Sequence, residues 1–232
     1  MFCGRGGKSA HSPSPAPFIA YNSLYRTVSC CYKRHCIRGA EMLRIIAGKH
    51  RGRRIETKEN ATIRPTGSRT REAIFNILAH GEFRGLGRSP LVEGRVVDLF
   101  CGTGALGLEA LSRGAAHVTF IDQSGDSISL ARANAAALGE TSQSTQFLRS
   151  DSTSLPPTAK PCTLAFLDPP YNSGLALKSL KSLDSQGWLL PGAVTVVEMD
   201  ARENFVPPEF YTPFNERKYS NSKIVFLRYD KE

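Results

Sequence analysis

Two short constellations in this sequence carry chemistry. The first is Asp98-Leu99-Phe100-Cys101-Gly102-Thr103-Gly104-Ala105-Leu106-Gly107, a Gly-x-Gly-x-x-Gly pattern that follows an apolar run. Glycines at Gly102, Gly104 and Gly107 let the backbone turn tightly and approach a nucleotide-like ligand. Asp122 lies 20 residues beyond Gly102, where a carboxylate can accept hydrogen bonds from both hydroxyls of a ribose. Asp98 and Glu109 bracket the loop with negative charge. That charge disfavours a pyrophosphate and suits an amino or sulfonium group at Asp98. Asp151 stands after a third apolar run, where it can accept from an adenine amino group. Three acids at the ends of successive strands suit S-adenosylmethionine better than a nicotinamide dinucleotide. Two plainer readings stand beside these: a tight strand-to-helix turn for the glycines, and a cap or turn residue for Asp151.

The second constellation is Asp168-Pro169-Pro170-Tyr171, directly after Cys162–Leu167. Two consecutive prolines remove two amide donors and stiffen the turn. The Asp168 carboxylate and a carbonyl are then held as acceptors, with an aromatic ring next to them. Acceptors beside a stacking ring fit a planar base that carries an exocyclic amino group. A rigid loop explains the prolines but not their pairing with the glycine loop.

The charge distribution points to a partner. The chain of 232 residues has 30 basic and 21 acidic residues, a net +9. Residues 1–41 hold six basic residues and one acid. Residues 42–71 hold nine basic residues and two acids, and the remaining 161 carry a net −3. A localised basic segment ahead of a mildly acidic body suits a polyanion, and Lys49, Arg51, Arg53 and Arg54 are the candidate phosphate contacts. On charge alone, a solvated surface or a targeting tail remains open. No run of apolar residues is long enough to span a membrane. Four of the six cysteines (Cys3, Cys30, Cys31, Cys36) lie in residues 1–41, while Cys101 and Cys162 sit in strand-like runs. Buried thiols in a reducing, cytoplasmic compartment are the natural reading. Cys30, Cys31, His35 and Cys36 lack a CxxC pair, so no metal site is expected.

The elements that must position these residues follow from hydrophobic period. Residues 1–41 are rich in Ser, Pro, Gly and Arg and have no clear period. A disordered extension, or translation beginning at Met42, is preferred to an organelle transit peptide, which Pro13, Pro15 and Pro17 oppose. Leu43–Ala47 and Arg53–Thr57 read as a hairpin, followed by a turn at Arg64–Gly67 and a helix over Ser68–Ala79. Strands are expected at Val96–Phe100, His117–Ile121, Thr145–Leu148, Cys162–Leu167 and Ala193–Met199, the last after a turn at Pro191-Gly192. Helices are expected at Ala105–Arg113, Asp126–Leu138 and Leu175–Leu183. An antiparallel pair at Glu216–Tyr219 and Lys223–Tyr229 closes the chain. Alternating strands and helices imply an α/β, doubly wound, mostly parallel sheet. The expected organisation is a small hairpin and helix over 42–81 and a Rossmann-like core over 95–232.

Taken together, Asp-Pro-Pro-Tyr and the Gly-Thr-Gly loop make the sequence similar to class I amino-group methyltransferases. From Met42 onward, about 190 of 232 residues, the chain resembles the RsmD family of bacterial 16S ribosomal RNA guanine-N2 methyltransferases. The resemblance is carried by Arg44–Gly48, Arg51-Gly52-Arg53, Arg64-Pro65-Thr66, Arg71–Leu78, Asp98–Gly107 with its continuation to Ala115, and Asp168–Tyr171. It implies a seven-stranded sheet and S-adenosylmethionine as cofactor, with Arg64 and Thr66 near the cofactor's methionine end. It also implies catalytic roles for Asp168, Pro169, Pro170 and Tyr171, and 16S rRNA or an assembling small ribosomal subunit as partner. A monomer is expected. DNA adenine, protein glutamine, or a non-catalytic RNA-binding role are the alternatives.

Overall fold

The computed structural model describes residues 43–57, 67–81, 89–219 and 221–231. The leader therefore lies outside the described residues, as do Arg64 and Thr66. One seven-stranded sheet organises the rest, in the order β3-β2-β1-β4-β5-β7-β6. The strands are β1 (Arg95–Leu99), β2 (His117–Asp122), β3 (Thr145–Arg149), β4 (Cys162–Leu167), β5 (Leu189–Asp200), β6 (Tyr211–Tyr219) and β7 (Ser222–Tyr229). The first five are parallel, and β7 and β6 join antiparallel. The helices are α1 (Ser68–His80), α2 (Ala105–Ser112), α3 (Gly125–Leu138) and α4 (Leu175–Ser185). This is the expected doubly wound architecture.

The central strands are apolar on both faces because helices cover both. One cluster gathers Ile74, Phe75, Leu108, Phe120, Phe166 and Phe226 on the side of α1, α2 and α3. The other gathers Val97, Leu99, Leu167, Leu180 and Val197 on the side of α4. Strand order reverses at β1, between β2 and β4, and ligands of such sheets bind at that reversal, beyond the strands' carboxyl ends. Both chemical motifs leave the sheet there.

Three elements differ from expectation. The hairpin forms over fewer residues than expected: one antiparallel bridge, Arg44 to Arg54, is flanked by amide bonds from Ile45 to the Arg53 carbonyl, Ile55 to the Leu43 carbonyl and Gly52 to the Ile45 carbonyl. Beyond it, the amides of Ile46 and Ala47 donate to the Glu109 carboxylate in α2. Pro191-Gly192 is not a turn before β5 but lies inside it, where the register with β4 shifts between Cys162 and Leu164. A bulge accommodates a proline that a regular ladder would reject. Strand β6 begins at Tyr211, well before Glu216, and includes Pro213. It is an edge strand, and its register shifts between Pro213 and Asn215, so the missing amide costs no regular ladder bond.

Candidate active site

The glycine loop joins β1 to α2. Gly102 and Gly104 hold φ of +53° and +80°, a region that disfavours a side chain. Gly107 has a packing role. A Cβ there would lie 2.4 Å from the Phe120 ring and 2.8 Å from Val118 Cγ1, so its bare face lets α2 settle on β2. Phe100 opens the loop at φ +58°, an unusual conformation for a bulky residue and one concentrated at functional turns.

The acids hold this loop in place. Asp122 Oδ2 accepts from the Gly102 amide at 3.1 Å, and its Oδ1 from the Ser124 amide at 2.8 Å. Asp98, 2% exposed, accepts from the Gly107 amide at 2.9 Å. Burial pushes its carboxyl well above the ordinary range, the charges of Asp168 and Asp122 add to this, and the Gly107 amide opposes it. Asp151 is exposed and accepts from both the amide and the hydroxyl of Thr153, each at 2.8 Å. Those bonds hold its carboxyl below the ordinary range and make it a turn residue in this structure. Glu109 does not border the loop. It is fully buried and points to the hairpin, where it also accepts from Arg113 Nε at 2.6 Å.

The second motif begins one residue after β4. Leu99 pairs with Leu167, so Asp168 emerges beside the start of the glycine loop. Pro169 is buried and Pro170 is exposed, with the Pro170 carbonyl accepting from Ser173 Oγ at 2.6 Å. Tyr171 is 44% exposed and donates its hydroxyl to Glu198 Oε1 at 3.1 Å. Burial first, then the charge of Glu198, pushes the phenol well above its usual value. Asn172 follows at φ +55° and donates its amide to Glu203 at 3.3 Å.

The basic hairpin separates into two kinds of residue. Lys49 Nζ lies 2.7 Å from Glu140 Oε1, which also meets His50 Nε2 at 2.7 Å. Arg53 Nη2 donates to the Ala137 carbonyl at 2.6 Å, at the end of α3. All four basic residues are exposed, and Lys49 and Arg53 are the two that tie the hairpin to the end of α3 through these contacts. The turn is clamped to α2: the Lys49 amide donates to the Ser112 carbonyl at 2.8 Å, and Ser112 Oγ donates to the Ala47 carbonyl at 2.5 Å.

Two residues passed unremarked in the sequence. Asn134, 3% exposed, donates to the Thr103 carbonyl in the glycine loop and to the Glu56 carbonyl in the hairpin, and accepts the Glu56 amide. Glu198 is 7% exposed within β5. Its signal was present, since an acid inside the apolar run Ala193–Met199 requires a partner.

Solved structures and sequence relatives place the chain in a class. The structure of yhhF from Escherichia coli matches with a TM-score of 0.69 at 28% identity, covering 82% of this chain and 99% of that one. The sheet order and the two motifs are those of a Rossmann-like methyltransferase. Residues 43–228 match the family model described as Conserved hypothetical protein 95. Ribosomal RNA small subunit methyltransferase D of Escherichia coli is 35% identical over 170 residues, 73% of this chain and 80% of that protein. Its Haemophilus influenzae counterpart is 31% identical over 179 residues, 75% of this chain and 88% of that protein. The chain belongs to the RsmD family of methyltransferases.

Proposed function

We propose that this protein uses S-adenosylmethionine to methylate the exocyclic N2 amino group of a guanine in small-subunit ribosomal RNA. The observation that carries the reading is the pairing of Leu99 with Leu167, which sets Asp168 beside the glycine loop. The relatives' names supply the RNA class.

The residues fit the cofactor. Asp122 stands at the loop with lone pairs beyond those used by Gly102 and Ser124. Asp98, whose isolated carboxyl resists ionisation, suits a cationic group brought next to it. When bound, S-adenosylmethionine supplies a methyl on a sulfonium, whose carbon–sulfur electron pair stays on sulfur as an amine lone pair takes the carbon.

The chain's own residues address the nucleophile. The guanine N2 lone pair is delocalised into the ring. Hydrogen bonds from the amino group to Asp168 and to the Pro169 carbonyl favour a pyramidal nitrogen with a directed lone pair. Orientation of this kind contributes about 7–11 kcal/mol to such reactions. Tyr171 offers a stacking face to a base that has left its own stack. The product's surplus proton is acidic, so Asp168 need not be a strong base.

The test is methyl transfer from tritiated S-adenosylmethionine to small-subunit ribosomal RNA, duplex DNA and protein fractions, followed by nucleoside analysis by mass. N2-methylguanosine from the RNA is expected. Label confined to DNA or protein, or a different methylated nucleoside, overturns the reading.

A further inference from the structure

Resting on the guanine reading above, we propose that Glu198 is a specificity-determining residue: its carboxylate accepts the N1–H of the target guanine while Asp168 accepts the adjacent N2–H.

The register places the two acids side by side. Leu167 pairs with Val197 across β4 and β5, so Asp168 and Glu198 are the next residues on neighbouring parallel strands. Glu198 pairs with Ile224 of β7, and Ile224 and Val196 both pack in the cluster on the side of α1, α2 and α3. Glu198 thus faces the same side of the sheet as that cluster. Its Oε1 meets the Tyr171 hydroxyl at 3.1 Å, at the rim of the ring on which the base would stack. An ionised carboxyl has about four lone-pair sites, so it can accept from more than one donor at once.

Two neighbouring acceptors match one edge of one base. Guanine presents N1–H and N2–H side by side as donors. Adenine presents its N6–H beside an N1 lone pair, which a carboxylate repels. A site built to accept a substrate N–H discriminates strongly against an analogue lacking it, because its buried polar group is left unpaired. The plainer role for Glu198 is to orient Tyr171, and the two roles separate experimentally.

The probe is small-subunit RNA ligated to carry 2,6-diaminopurine at the guanine that the wild-type protein methylates. This base keeps the 2-amino nucleophile but has a lone pair at N1. Wild-type kcat/KM should be about 10- to 100-fold lower on diaminopurine than on guanine. Glu198→Gln, whose amide can accept or donate, should bring that ratio close to one, chiefly by a fall on guanine. Tyr171→Phe should leave the ratio at its wild-type size. Equal wild-type rates on the two bases overturn the proposal, and this comparison needs no variant to fold. A ratio unchanged in Glu198→Gln, or equally collapsed in Tyr171→Phe, also overturns it. In those outcomes N2-methylguanosine is still formed from the natural RNA, so the functional reading stands. Failure to form it overturns both.

Discussion

The Glu109 carboxylate in α2 accepts the backbone amide of Ile46 at 2.7 Å, across 63 residues of sequence. The same carboxylate takes the Ala47 amide at 3.0 Å and Arg113 Nε at 2.6 Å, and Arg71 Nε stands 3.9 Å away. Helix α1, helix α2 and the hairpin therefore share one buried anion. Removing one member of such a set strands the others without solvent.

Glu109→Gln should lower unfolding free energy by about 3–5 kcal/mol, because an amide nitrogen replaces an acceptor facing a backbone N–H. Urea unfolding followed by circular dichroism measures it. A loss below about 1 kcal/mol would mean that the hairpin docks through its apolar residues Leu43, Ile45 and Ile55 instead.

The same anchor explains which parts of the fold were legible in the sequence. Strands such as Cys162–Leu167 announce themselves because both faces are buried and the run is continuously apolar. The glycine loop and Asp168–Tyr171 are local motifs, so their spacing survives as sequence. The destination of Glu109 is not local. The two backbone amides it accepts, from Ile46 and Ala47, lie more than 60 residues away, and only its i+4 pair with Arg113 is local. Asn134 was hidden for the same reason, and for Glu198 the sequence signals that a partner is needed but not which one. Each is a polar residue in an apolar element whose partner comes from another element. The division of Gly102 and Gly104 from Gly107 also depends on tertiary contact, since the positions of Phe120 and Val118 make Gly107 a packing residue.

Asp98 makes stability depend on pH in a direction opposite to that of most carboxylates. Its folded-state value is raised above the ordinary 3.8, chiefly by burial, so the folded protein holds that proton more tightly than the unfolded chain. Its contribution is most favourable below that ordinary value and declines as pH rises from there through the raised folded-state value. Asp98→Asn keeps an acceptor for the Gly107 amide and removes the buried charge. It should melt about 2–4 °C higher than wild type at neutral pH, with the difference vanishing in acid. Its affinity for S-adenosylmethionine should fall about tenfold or more. Thermal melts from pH 3 to 8 and calorimetric titration check both arms. A melting difference that grows in acid would reverse the sign argued here.

Gly107→Ala tests whether α2 must rest on β2 for the loop to form. The new Cβ would sit 2.4 Å from Phe120 Cε1, closer than atoms pack, and the ring is fully buried. Overpacking of this kind costs about 1–3 kcal/mol. The shift should also lengthen the Gly107 amide to Asp98 contact and weaken cofactor binding. Phe120→Leu in the same chain relieves the contact and should recover part of both losses. Full cofactor affinity in Gly107→Ala would separate α2 packing from the binding loop.

The last prediction concerns the polyanion surface. Lys49, Arg51, Arg53 and Arg54 are all exposed, but Lys49 is paired with Glu140 and Arg53 with the Ala137 carbonyl. The four basic residues should therefore not behave alike. Each phosphate contact on a single strand contributes roughly 0.7 to the slope of log affinity against log salt. Arg51→Ala with Arg54→Ala should flatten the slope for ribosomal RNA by about 1.4, with little change in melting temperature. Lys49→Ala with Arg53→Ala should do the reverse, because it removes two ties between the hairpin and the end of α3. Its melting temperature should fall, and its salt slope should change less. Filter binding between 50 and 300 mM salt, on the order used for such slopes, measures the contrast. Equal slopes for the two double variants would show that anchoring to α3 does not remove a cation from RNA contact. A slope identical to wild type in both would move the RNA surface away from the hairpin.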